Sequence, residues 1–212
     1  MKRFRRLEPP PDRDDVPASE RAAYDRVVDR TQRIHGLESI QAQYFHALLN
    51  SPAVADVIVR FGRLMREGQL RGTYTDVDRE LVDMVLATDL RYNGILDVHV
   101  RDAIAVGVRP EAIHAIRKRH EEDLTEDERQ IVVYSRQVIN GMVTDSSYNA
   151  LRERLGSRGA VEFTVFIGFL LMTVRLWQAL GVPDPSDDEI DAVFRGLLDG
   201  SIDVPEPGAR IG

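Results

Sequence analysis

Apolar residues in this chain recur at helical spacing almost from end to end, and nowhere settle into the period of two that a half-buried strand needs. Tyr24, Val27, Val28 and Ile34 share one face of a helix from about 18 to 35, closed by Gly36. Tyr44, Phe45, Leu48 and Leu49 continue a short helix that stops at Asn50-Ser51-Pro52. Ser51 then caps a helix that begins with Pro52 and runs to about Glu67, ended by Gly68. Thr75 or Asp76 caps a helix through Leu81, Val82, Val85, Leu86 and Leu90, which breaks near Asn93-Gly94. Leu96 to Val106 forms the next, and Pro110 opens one from Glu111 to about His120. Thr125 and Glu128 have capping-box spacing for a helix to Asn140-Gly141. Two helices follow, Ser146 to Leu155 and Arg158 to Leu180, the second stopped by Gly181 and Pro183. Ser186 and Glu189 repeat the box before a last helix to about Asp199. The reading is all-α: a single-domain helical bundle over 18–183, an extended proline-rich arm over 1–17, and a C-terminal helix with a frayed tail over 184–212.

At 212 residues the chain is long enough to hide roughly 70% of its unfolded surface in one core. Acidic side chains outnumber basic ones 35 to 28, so a nucleic-acid backbone is a poor partner. No cysteine is present, which excludes disulfides and any thiolate chemistry of this chain. The N-terminus is basic, but Glu8 and Pro9 to Pro11 stand where a signal peptide is apolar. The longest apolar run, Val165 to Met172, is shorter than the roughly 20 residues of a membrane helix. The expected location is cytoplasmic, with no membrane and no nucleic acid as partner.

The Arg158 to Leu180 helix is apolar all round: Phe163, Val165, Phe166, Ile167, Phe169, Leu170, Leu171, Met172 and Val174 cover every face. Such a helix is expected to be buried on all sides, either centrally in the domain or partly against another subunit, with a subunit interface the favoured reading.

One constellation carries chemistry. Leu48-Leu49-Asn50-Ser51-Pro52-Ala53-Val54-Ala55 precedes Arg79-Glu80-Leu81-Val82, then Arg91-Tyr92-Asn93, His99, Ala103 and Gly107-Val108. Together these resemble the carboxymuconolactone decarboxylase and alkylhydroperoxidase-D superfamily, over roughly residues 35 to 183. The family's signature is a helix bearing a glutamate, a bend, then a helix with a histidine in its first turns. Glu80 and His99 match those positions. The resemblance implies an alkylhydroperoxidase-D-like bundle and a homo-oligomer (dimer, trimer or hexamer).

The peroxidase branch of that family places Cys-x-x-Cys at the bend. Here Tyr92 and Ile95 stand in those slots, and Gly94 stands where that branch often has another histidine. Peroxide reduction there needs one thiolate to attack and a second thiol to resolve. What remains is an acid-base pair, His99 transferring the proton and Glu80 fixing its tautomer. The decarboxylase branch works without a cofactor on a lactone carboxylate, whose conjugated carbonyl is the electron sink. In that reading His99 and Glu80 are catalytic, Arg91 or Arg175 clamps a carboxylate, and Tyr92 and Asn93 border the substrate.

Each residue has a plainer alternative. Glu80 can pair with Arg79 or Arg71 on a helix surface, and His99 can be a satisfied core histidine. Tyr92 and Asn93 can simply shape the bend, Arg175 can serve an interface, and Trp177 can be core. No two histidines stand at i, i+4, so a zinc site on one helix is not expected, nor any other metal site. Arg117-Lys118-Arg119 runs straight into Glu121-Glu122-Asp123 and reads as a solvated helix end. The functional rivals are a cofactor-free enzyme acting on a small carboxylated or lactone molecule and a non-catalytic oligomeric scaffold or small-molecule binder. A peroxidase without cysteines comes third.

Overall fold

The computed structural model of the chain describes residues 9–35, 40–67 and 73–206; Gly36, Gly68, Arg71, Pro207 and the first half of the arm lie outside them. Among the described residues every regular element is a helix. The order is α1 (Arg21–His35), α2 (Ile40–Leu48), α3 (Pro52–Glu67), α4 (Asp76–Leu90), α5 (Gly94–Ala105), α6 (Pro110–Lys118), α7 (Glu126–Asn140), α8 (Asp145–Leu180) and α9 (Asp187–Asp199). Single 3-10 turns stand at Arg13–Asp15 and Glu121–Asp123.

Local chemistry fixes most ends. Capping boxes open α4, α7, α8 and α9, at Thr75, Thr125, Thr144 and Ser186 respectively. Each supplies a partner for backbone N–H groups that the helix itself leaves unpaired. The long helix α8 is two helices in all but name: Gly156 at φ 72°, ψ 168° breaks it, in a region of backbone space that is essentially glycine's alone. Its halves, 145–155 and 158–180, are those the sequence spacing separates. The described part of the arm lies along α1. The Tyr24 hydroxyl donates to the Pro11 carbonyl at 2.9 Å, and Arg13 makes a two-pronged pair with Asp25.

The central helix is α4. Every residue from Asp78 to Ala87 is buried, and α5, α6, α7 and α8 all pack on it. The single chain covers the 158–180 helix only in part. That half of α8 sends Phe163, Phe166, Ile167, Leu170, Val174 and Trp177 into the core, yet leaves Val161, Val165 and Met172 exposed. By length and composition alone α8 would suffice to cross a bilayer, but much of its apolar surface packs within its own chain. A smaller apolar cluster of Val27, Leu49, Ala55 and Val59 holds α1 to α3 together beside the main core.

Candidate functional site

The first turn of α4 is clamped before the site begins. Thr75 accepts from the Asp78 backbone at 3.0 Å, and Asp78 returns the bond to the Thr75 N–H at 2.9 Å. The other oxygen of Asp78 accepts from Arg154 at 2.7 Å, tying α4 to α8. Arg79, also buried, pairs with Asp76. Glu80 and Asp83 follow, three residues apart and hence on one face of the helix.

On α5 the facing residue is His99. Its Nδ1 stands 3.1 Å from Glu80 Oε2 and 3.5 Å from Asp83 Oδ2. All three side chains are buried, with Glu80 5%, His99 8% and Asp83 0% exposed. With its proton on Nδ1 the imidazole donates to Glu80, and the lone pair then belongs to Nε2. Removing two carboxylates from water costs several kcal/mol each unless cations and donors compensate. Among the described residues Glu80, Asp83 and His99 also form a cluster of side chains able to hold a metal ion, their ligating atoms all within 4.8 Å of one another. The sequence reading missed Asp83. Its signal was present: a lone aspartate inside Leu81-Val82-Asp83-Met84-Val85-Leu86-Ala87, one helical turn past Glu80.

The bend does different work. The Tyr92 hydroxyl lies 2.9 Å from the Val182 carbonyl and 3.2 Å from that of Pro183, and donates to them. Burial, with Asp184 nearby, pushes this phenol up, so it stays a neutral donor. Asn93 caps nothing with its own side chain, which instead donates to the Pro185 carbonyl and to Asp187. The first N–H groups of α5 go to Asp184, from Asn93 at 2.7 Å and Gly94 at 3.2 Å. These residues strap segment 182–187 across the start of α5. The polar groups of Tyr92 and Asn93, expected to border the substrate, are committed to this strap.

Neither arginine joins the pair. Arg91 is exposed, in left-handed conformation at the end of α4, about 16 Å along the helix axis from Glu80. Arg175 is exposed too, and donates to Gln178 at 2.9 Å. Trp177 is a core residue, its ring 5.6 Å from that of Tyr44 and 6.4 Å from that of Tyr92.

A peroxidase-related protein of Ralstonia eutropha JMP134, described as an alkylhydroperoxidase AhpD core, has a similar solved structure. The TM-score is 0.64, over 89% of this chain and 96% of that one, at 15% sequence identity. The fold is the alkylhydroperoxidase-D core. At that identity the likeness speaks for the fold alone. No protein-family model matches the chain, and no curated protein matches it. Within that core Glu80 and His99 lie 19 residues apart on adjacent helices, and Tyr92 and Ile95 flank the bend between them.

Proposed function

We propose that the chain is a proton-transfer enzyme of the carboxymuconolactone-decarboxylase kind, acting without a cofactor on a small carboxylated or lactone molecule. The observation that carries this is the buried His99 Nδ1 to Glu80 Oε2 contact of 3.1 Å. A carboxylate held on Nδ1 fixes the tautomer and stabilises the imidazolium, so Nε2 takes and returns the proton. In a decarboxylation the bond to the departing carboxylate breaks, and its electron pair passes into the substrate's conjugated carbonyl. Carbon dioxide leaves, and the imidazolium, protonated at Nε2 from solvent, delivers that proton to the carbanion carbon. The Ralstonia protein is described as peroxidase-related. This chain, with no cysteine, has no thiolate to attack a peroxide and none to resolve the product.

The rival reading is a non-catalytic scaffold, and its support is the strap that fastens Tyr92 and Asn93 away from chemistry. Purified protein offered a panel of lactone and keto-acid carboxylates separates the two, with carbon dioxide release as the readout. Release from one member supports the enzyme; silence across the panel supports the scaffold. Thiol-dependent consumption of an alkyl hydroperoxide, lost in His99→Gln, overturns the mechanism. The reading includes a homo-oligomer: exposed Val161, Val165 and Met172, with Gly168 between them, form one seam of α8 that a second copy would cover.

A further inference from the structure

We propose that Glu80, Asp83 and His99 are a binding site for one first-row divalent transition-metal ion. Two distinct carboxylates converge on one nitrogen, at 3.1 and 3.5 Å from His99 Nδ1. The Oδ2 at 3.5 Å belongs to Asp83, which is fully buried, so all three ligand-type groups sit out of bulk water.

The spacing suits an ion. Ligand atoms each about 2.1 Å from a metal are separated by about 3.0 Å at octahedral angles and about 3.4 Å at tetrahedral ones. The two measured edges fall at those values, and the third, within 4.8 Å, closes by rotations of about 1 Å or somewhat more. One imidazole and two carboxylates favour zinc, manganese, iron or cobalt over calcium or magnesium, which prefer all-oxygen shells. The ligands come from two helices, with an i, i+3 pair on α4 and one residue on α5, so a search for paired histidines on a single helix passes over the site. An ion on Nδ1 replaces the hydrogen bond to Glu80, making it an alternative occupant of the atoms used in proton transfer. The proposal does not rest on the acid-base reading, because binding is measured without substrate.

The test is titration of the metal-free full chain with Co2+, followed by visible absorption, and with Zn2+, followed by calorimetry. One ion per chain is expected. Asp83→Asn and Glu80→Gln, near-isosteric changes, should each weaken it by at least roughly 100-fold, and His99→Gln should abolish it. His120→Gln, on the exposed end beyond α6, should leave it unchanged. Imidazole nitrogen NMR of the wild type removes dependence on the variants' folding. Of five histidines, only His99 should shift on adding Zn2+, and at Nδ1. Absence of stoichiometric binding, equal binding by His99→Gln, or a shift at another histidine would overturn the proposal, while leaving turnover by the panel to judge the acid-base reading separately.

Discussion

Helices α4 and α8 invert what their compositions suggest. From 78 to 87, α4 carries Asp78, Arg79, Glu80 and Asp83, yet all ten residues are buried. Beyond its kink α8 is apolar on every face, yet leaves Val161, Val165 and Met172 exposed. Burial here follows topology: α4 has α5, α6, α7 and α8 packed around it, while one seam of α8 faces outward. Apolar residues on an open seam cost the isolated chain little. Charges on a central helix cost several kcal/mol each unless partnered, so their presence demands an explanation. Asp78 has a structural one, shared between the Thr75 cap and Arg154. Glu80 and Asp83 both face the imidazole of His99.

The largest expected effect tests that explanation on the α4 side. His99→Gln should lower turnover of the substrate found by the panel roughly 10²- to 10⁴-fold, with the fold intact by circular dichroism. Glu80→Gln should lose less, because it removes only the charge that orients the ring and stabilises its cation. Turnover unaffected by His99→Gln would mean that these buried charges are structural and that α4 differs from α8 in packing alone.

Much of this was legible in the sequence, and the gaps have physical causes. Helix limits at Pro52, Gly141, Gly181 and Ser186 were readable because caps and breakers act within a few residues. The Gly156 break was readable as the gap between Leu155 and Arg158. Pairing of Glu80 with His99 came from resemblance, since no local rule brings two residues 19 apart into contact. The strap was not legible: Tyr92 and Asn93 meet a segment about 90 residues away through backbone carbonyls, which carry no sequence signal. Asp83 was legible but passed over, as an interruption in an apolar run. Which face of α8 its own chain covers was not legible either, because hydropathy ranks faces without saying which neighbours the topology supplies.

Stability changes sharpen the comparison next. Leu86→Ala on α4, at a site with no exposure, should cost about 2–5 kcal/mol through lost burial and the cavity left behind. Urea denaturation followed by circular dichroism measures it. A cost under about 1 kcal/mol would show that the neighbours of α4 collapse readily and that its central position is less constraining than its burial suggests. Gly156→Ala comes below it, at about 1–3 kcal/mol, because any side chain at φ 72°, ψ 168° is strained whatever space is available. An unchanged midpoint would mean that α8 straightens at no cost, making the kink a preference rather than a requirement.

The smallest stability effect belongs to the seam of α8 and is the most discriminating for assembly. Val165→Ser with Met172→Ser removes apolar surface that is 43% and 40% exposed in the single chain. Exposed substitutions remote from caps and buried pairs usually change stability by no more than about 0.5 kcal/mol, so a monomer should melt almost where the wild type does. If a second copy covers the seam, the wild type should run as a dimer or larger species by light scattering. The double variant should then dissociate, and its melting point should cease to depend on concentration, because coupled association stabilises by mass action. A wild type that is monomeric at micromolar concentration would leave the seam open to water and remove the oligomer from the reading. It would also sharpen the contrast with α4: the chain would tolerate an exposed apolar stripe on its longest helix while keeping four charged residues at its centre.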